Sequence, residues 1–407
     1  MSAPNTSYLE FNFVKENATG RGLNTQFIME NLGNGTFRVT DGRVGIKVGP
    51  HKPKVYTKPM SDWEMYYEMK IARGYLLTKT SKMAAKKIVK DAFASITDEE
   101  VKEIVKRLMD YANQVIAENY SVTIENVSDE MLQYGKKILD DLADNYKTMS
   151  VATFNNKLKV LYAAIPRRID KLSDCLASQK SDFNDIVSNE QELFEILVGQ
   201  LKEAKSEEKE NSFLDQYNLT WRTVTESEET EIKEMLGMES SHYMRAWRIE
   251  NARTEKNFSD FCRKEGLTEE KGITNLFHGS RNENFWSIIT NGLTVNPKGV
   301  VVTGKMFGNG IYYAKDSDKS LGYTSRSGSK WAKGVQSSGF LGIYKVATGK
   351  TYDISKAESD LNAQVLEKRC PGAHSTWAHA GEHLYKDEFI TYRDDQSTIK
   401  YLVEVGI

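Results

Sequence analysis

The sequence predicts an α+β protein built in three successive parts: a small β-rich module over 1–90, an all-α segment over 95–205 and a mixed α/β module over 212–407. Three changes of texture carry this division. The first part alternates in polarity and turns often, the second repeats apolar residues at helical spacing, and beyond a charge run at 202–211 short strands, glycines and aromatics dominate. With 407 residues, 39% hydrophobic and 28% charged, the chain has the length for two or three domains and the apolar material for real cores.

In the first part, 26–29 and 37–39 read as strands around the turn residues Asn31-Leu32-Gly33-Asn34-Gly35, and Asp41-Gly42-Arg43-Val44-Gly45 reads as another tight turn. Trp63, Tyr66, Tyr67 and Ile71 then fall at helical offsets over 62–73, with Gly74 as the stop. In the second part, Thr97-Asp98-Glu99-Glu100 has the form of a capping box, and Val101, Ile104, Val105, Leu108, Ala112, Val115 and Ile116 follow one face. Ser128-Asp129-Glu130 opens a second helix, Phe154, Leu158, Leu161, Tyr162 and Ile165 mark a third that Pro166 stops, and Leu193, Phe194, Ile196 and Leu197 mark a fourth. Such stripes read as core. In the third part, 275–277, 311–314, 341–347, 388–392 and 399–405 are strand candidates.

Composition excludes several classes. No stretch of about 18 apolar residues is present, which argues against a membrane span and a membrane partner. Residues 1–10 lack a basic-then-apolar leader, and three scattered cysteines cannot make a disulfide framework. A soluble intracellular protein is expected. The net charge of −2 hides an asymmetry: residues 1–90 hold 15 Lys and Arg against 7 Asp and Glu, so a basic module precedes an acidic body. That suits a polyanion-facing module, and equally a chance clustering of surface lysines.

Some motifs fail. Gly349-Lys350-Thr351 ends like a phosphate-binding loop, but Tyr344 stands where that loop needs a glycine; Gly304, Gly308 and Gly310 do not match the dinucleotide fingerprint. Cys370, His374, His379 and His383 lie within 14 residues, yet their spacing is not a common zinc pattern, so no metal site is expected.

One constellation holds together. Leu276-Phe277-His278-Gly279-Ser280-Arg281 sits where a strand meets a turn. Met306-Phe307-Gly308-Asn309-Gly310-Ile311-Tyr312-Tyr313-Ala314, Lys319-Ser320-Leu321-Gly322-Tyr323 and Tyr385-Lys386-Asp387-Glu388-Phe389 follow in order. In this arrangement the chain resembles the poly(ADP-ribose) polymerases, the diphtheria-toxin-like ADP-ribosyltransferases, whose His-Tyr-Glu signature is matched by His278, Tyr312 and Glu388. The resemblance includes Asn284-Phe285, Gly304 and the closing Lys400-Tyr401-Leu402-Val403. It extends backwards through Leu161-Tyr162-Ala163-Ala164-Ile165-Pro166, similar to the helical regulatory domain of the DNA-dependent members. It ends at Gly42-Arg43-Val44-Gly45, similar to a WGR domain in which Asp41 replaces the name-giving Trp.

The resemblance implies a WGR-like nucleic-acid-binding domain over 1–90, a helical regulatory domain over 95–205 and a catalytic domain of two packed antiparallel sheets over 212–407. It implies a poly(ADP-ribosyl)transferase that consumes NAD as substrate and holds no bound cofactor, is stimulated by DNA breaks, and modifies proteins including itself. Glu388 would stabilise the cationic ribose and activate the acceptor hydroxyl, and His278 would hold the adenine-side ribose. Gly279 and Ser320 would bind the nicotinamide carboxamide between the Tyr312 and Tyr323 walls, with Ser280 and Asn284 as further NAD contacts. Residues 293–305 would form a loop over the donor site, and Arg43 would serve nucleic-acid or interdomain contact. The helical segment is expected to restrain NAD access, so that deleting 97–205 raises basal activity. The compartment would be nuclear in a eukaryote and cytoplasmic in a bacterium. A mono-transferase or NAD glycohydrolase is the alternative within enzymes, and an inactive nucleic-acid-binding module the alternative outside them.

Overall fold

A computed structural model of the chain describes residues 2–16, 22–46, 48–81, 93–201, 212–295, 306–325, 338–381 and 384–406. In chain order the elements begin with β1 (Tyr8–Glu16), β2 (Gly22–Asn31), β3 (Thr36–Arg43), β4 (Lys54–Pro59), α1 (Trp63–Ala72) and β5 (Leu76–Lys79). The helices α2 (Glu99–Asn119), α3 (Asp129–Asn145), α4 (Val151–Ala164) and α5 (Phe183–Leu201) follow. Then come β6 (Leu219–Thr223), α6 (Glu226–Leu236), β7 (Tyr243–Asn251), α7 (Ala252–Glu265), β8 (Ile273–Gly279), α8 (Asn282–Asn291), β9 (Ile311–Tyr313) and α9 (Ser317–Leu321). The chain closes with β10 (Ser338–Ala347), β11 (Thr351–Ile354), α10 (Ala363–Arg369), β12 (Ser375–Ala378), β13 (Glu388–Thr391) and β14 (Ser397–Gly406). None of the described helices is long and apolar enough to cross a membrane.

Packing groups the chain into two compact units, each drawn from two stretches: Met1–Lys87 with Ile116–Phe194, and Ile88–Val115 with Glu195–Ile407. The helical segment therefore gives residues to both. The divisions expected near 90 and 205 fall in 82–92 and 202–211, outside the described residues, as does the charge run.

The first unit holds an antiparallel sheet of order β4-β3-β2-β1-β5. Alternation along its strands sends Leu9, Phe11, Phe27, Met29, Phe37 and Val39 to one face, where Trp63 and Tyr67 of α1 cover them. Each such buried side chain contributes about 1.5–3 kcal/mol. The turn at 31–35 forms as expected, with Asn31 Oδ1 accepting from Gly33 N at 2.8 Å. The expected turn at Asp41 does not. Asp41, Gly42 and Arg43 extend β3 against Phe27, Gln26 and Thr25, and the chain turns only at Val44. Ladder hydrogen bonds to β2 override the local turn chemistry of Asp-Gly. Ser128 and Ser150 cap α3 and α4 by accepting from Met131 N and Thr153 N.

The second unit holds two sheets. The larger has order β6-β7-β14-β10-β8 and is antiparallel throughout. The smaller has order β11-β12-β13-β9, and here the expectation of two antiparallel sheets is corrected: β11 and β12 run parallel. A parallel neighbour needs a crossover, and the segment between them, which carries α10, supplies it. The inner faces of both sheets share one cluster containing Trp247, Leu276, Tyr344, Ile311, Tyr313 and Phe389. Val101, Ile104, Val105 and Leu108 of α2 belong to the same cluster. The cap of α2 is Asp98, whose carboxylate accepts from Glu100 N and Val101 N, rather than Thr97.

Polar contacts fasten that stretch of α2 as firmly as apolar ones. Glu404, buried in β14, accepts from the Ser338 hydroxyl, from Arg107 and from Arg245 Nε, and Arg245 also pairs with Glu103 at 2.6 Å. Burial alone would raise the pKa of Glu404, but the hydroxyl and the guanidiniums pull it below the usual range. A deletion of 97–205 would accordingly remove part of this unit's core along with the other helices.

Candidate active site

Backbone pairing brings β8, β9 and β13 side by side. Phe277 and Ala314 exchange N–H···O bonds of 2.8 and 2.9 Å, joining the end of β8 to the end of β9. Tyr312 pairs with Ile390 across β9 and β13, so Glu388, two residues before Ile390, presents its side chain on the face that carries Tyr312. His278 Nδ1 lies 2.9 Å from the Tyr312 carbonyl oxygen. A carbonyl only accepts, so Nδ1 carries the proton.

The short helix α9 closes this arrangement. Ser317 Oγ donates to Leu236 O at 2.9 Å and Ser320 Oγ donates to Phe277 O at 3.3 Å, pinning α9 beside β8. The approach is so close that a side chain on Gly279 would collide with the Ser320 carbonyl, which is why glycine stands there. From α9, Lys319 Nζ reaches Glu388 Oε1 at 2.9 Å and donates to Lys386 O at 2.7 Å. Both side chains of this ion pair are largely withdrawn from solvent, 14% and 9% exposed. Lys386 turns outward to Asp318 at 2.7 Å.

The two expected aromatic walls differ. The Tyr312 hydroxyl donates to Gly308 O at 2.8 Å and accepts from Phe307 N at 3.1 Å, so its ring is fixed from its far end. Burial, with Glu388 adding to it, raises its pKa, and the phenol stays protonated. Tyr323 is 62% exposed, and burial of its inner part followed by the Glu388 charge raises its pKa as well. Both tyrosines thus feel the same carboxylate. Ser280 and Asn284 lie just beyond β8, joined by an Asn284 Nδ2–Ser280 Oγ bond of 3.1 Å.

His278 thus contacts the Tyr312 carbonyl, Gly279 packs on Ser320, and Glu388 joins them through Lys319 of α9 and the face it shares with Tyr312, its charge also felt at Tyr323. Of the loop expected over them, 296–305 lies outside the described residues. Arg43 belongs to the other compact unit, at the end of β3. Among the described residues no group of three metal-ligating side chains forms. His374 Nδ1 accepts from Lys350 N, His379 lies 3.6 Å from Asp387 and 3.8 Å from Asp353, Cys370 ends α10, and His383 is outside the described residues. The sequence gives no role to Lys319, which the fold sets against Glu388. Its only signal was adjacency to Ser320.

A paired carboxylate, an aromatic ring, an imidazole and a close backbone approach in one place suit a small planar leaving group and a developing positive charge. Residues 226–380 match the model of the poly(ADP-ribose) polymerase catalytic domain. An uncharacterized protein 101L of Invertebrate iridescent virus 6 is 26% identical over 189 residues, 46% of this chain and 77% of its own length. A putative poly [ADP-ribose] polymerase-like 100L of the same virus is 31% identical over 134 residues, 32% of this chain and 69% of its own length. Poly [ADP-ribose] polymerase 2 of Homo sapiens is 30% identical over 156 residues, 32% of this chain but only 26% of the human protein.

Proposed function

The chain belongs to the poly(ADP-ribose) polymerase family and is an NAD ADP-ribosyltransferase, and we propose that it transfers ADP-ribose to proteins, itself included, and onto growing ADP-ribose chains. The observation that carries this reading is Glu388, on the face it shares with Tyr312, paired with Lys319 largely out of solvent.

NAD is the substrate and is consumed, and the reading calls for no resident cofactor. Nicotinamide leaves neutral from a cationic ring, so the transition state places positive charge on the ribose. Glu388 stabilises that charge, bonds the ribose 2′-hydroxyl and, in elongation, takes the acceptor's proton. Lys319 holds the carboxylate as an ion pair through one oxygen and leaves the other for the sugar. Gly279 offers main-chain N–H and C=O to the nicotinamide carboxamide. Ser320 adds its hydroxyl by exchanging the 3.3 Å bond to Phe277 for one to the ligand. The ring lies between Tyr312 and Tyr323, where offset aromatic contacts add about 0.5–1.5 kcal/mol beyond burial. His278 holds the adenine-side ribose, and Ser280 and Asn284 make weaker contacts to ribose or phosphate.

The excess of 15 basic over 7 acidic residues in 1–90 supports a WGR-like, DNA-facing role for that part, with Arg43 at its β3 end. In this reading broken duplex DNA relieves a restraint exerted by the helices of 95–205, a shift between two populations. Labelled NAD tests the proposal directly. Polymer gives a ladder on a gel, mono-transfer one shifted band, and hydrolysis free ADP-ribose; broken duplex DNA raises the rate. Glu388→Gln is expected to cut NAD turnover by about 10²–10³-fold with NAD binding retained; a variant as active as the native chain rules out this role for Glu388.

A further inference from the structure

Tyr344, which in the sequence does no more than spoil a phosphate-loop motif, lies against the site in space. In the β8–β10 ladder His278 faces Gly342 directly and Leu276 faces Tyr344, so all four positions share one side of the sheet. A ring on one strand reaches a diagonal cross-strand neighbour when nothing intervenes, and here the intervening position has no side chain. The far end of the Tyr344 ring lies over Gly342: a Cβ there would collide with Tyr344 Cε2 and sit 3.2 Å from both Cζ and the hydroxyl. Glycine 342 and tyrosine 344 therefore work as a pair, the one making room for the other.

The ring meets the His278 imidazole edge-on, with centroids 6.0 Å apart and planes at 84°. Tyr313 stands on another side of the same imidazole at 6.0 Å, and 6.1 Å from Tyr344. Nδ1 is engaged by the Tyr312 carbonyl. Two rings and the bond to the Tyr312 carbonyl thus bear on the imidazole. The two rings are not held alike. The Tyr313 hydroxyl donates to Ser397 Oγ at 2.7 Å, whereas the Tyr344 hydroxyl, fully buried, has no hydrogen-bond partner among the described residues. A buried hydroxyl without a partner contributes nothing favourable, so the ring itself is what acts at this position.

We propose that Tyr344 is a positioning residue for NAD binding: its ring, laid across Gly342, holds the His278 imidazole in the orientation that grips the dinucleotide. This rests on the reading of His278 as an NAD contact. Its effect falls on substrate binding and not on bond cleavage, because it acts through the imidazole and not through Glu388.

Steady-state NAD kinetics on the full chain, with thermal melting alongside, test it. Tyr344→Leu is expected to raise KM for NAD about tenfold with kcat unchanged, the signature of lost ground-state binding. Tyr344→Phe keeps the ring and should keep native KM. Gly342→Ala displaces the ring without deleting it and should reproduce the KM rise, which serves if the leucine variant does not fold. Native KM in Tyr344→Leu, failure of Tyr344→Phe to retain it, or a fall in kcat without a rise in KM overturns the proposal. His278→Ala separates the two levels of inference. If it raises KM and Tyr344→Leu does not, positioning fails while the NAD contact stands. If His278→Ala itself leaves KM native, the reading of His278 fails and this inference falls with it.

Discussion

Lys70 of the first compact unit and Lys319 of the second are both largely withdrawn from solvent, and the two are held in unlike ways. Lys70 of α1, its side chain 4% exposed, has its ammonium 3.7 Å from the Phe27 ring centroid, 4.4 Å from that of Tyr75 and 3.6 Å from a half-exposed Asp41. Burial pulls its pKa below the ordinary lysine range, and Asp41 only partly opposes this. Lys319 has a carboxylate at 2.9 Å and a carbonyl at 2.7 Å. The first charge is accommodated by rings whose main business is apolar packing. The second donates a hydrogen bond to the Lys386 carbonyl and is set as an ion pair against one oxygen of Glu388, the residue given the central role in the proposed chemistry. A buried ammonium is thus a packing element in one place and an aiming device in the other.

The sharpest way to break this comparison is Lys319→Met. Removing one partner leaves Glu388 buried and unpaired, so the catalytic unit should lose about 3–5 kcal/mol of stability, and NAD turnover should fall about 10²-fold. The double variant Lys319→Met with Glu388→Gln should recover most of the melting temperature and none of the activity. If Lys319→Met turns over NAD at the native rate, the aiming role is wrong. A smaller effect is expected from Lys70→Met: stability within about 1 kcal/mol of native, since Asp41 remains hydrated and cation–π contacts are worth about 0.5–2 kcal/mol, and NAD turnover unchanged.

The same variant carries a pH signature. Because the folded-state pKa of Lys70 lies below its unfolded value, the unfolded chain binds the extra proton over the interval between them. The first unit should therefore gain stability as pH rises from that depressed pKa towards 10.5 and lose it on the way down. Denaturant melts across that interval should show the slope in the native chain and not in Lys70→Met; a slope that survives the substitution assigns it to another group.

Much of the site was legible in the sequence because it depends on residue types that cluster in short, ordered motifs. The ordered segments and the resemblance they carry single out His278, Gly279, Tyr312, Ser320 and Glu388, whose strands and short helix lie side by side in the fold. Lys319 is not among them, since a lysine in a short helix is ordinarily solvated, and only the cross-chain distance to Glu388 reveals otherwise. Tyr344 was illegible for a related reason: its partner Gly342 matters only once β8 lies alongside β10. At the level of fold, the helical stripes marked α2 to α5 with small errors at the caps, whereas β1, β4, β5, β6, β7, β11 and β12 went unread. Short strands carry little periodicity, and the parallel pairing of β11 with β12 is fixed by a crossover that no local pattern announces.

The anchoring of α2 has a practical corollary for cutting the chain. Glu404 keeps its two guanidinium partners only while 93–115 accompanies the sheet, and Val101, Ile104, Val105 and Leu108 fill the same interior as Trp247 and Trp286. A fragment begun at 212 would expose that apolar seat and leave the carboxylate one guanidinium, Arg245, beside the Ser338 hydroxyl. Supplied as a separate peptide, 93–115 carries both the grease and the guanidinium needed to dock there, so the transferase is better split into two complementing pieces at this helix than trimmed to one.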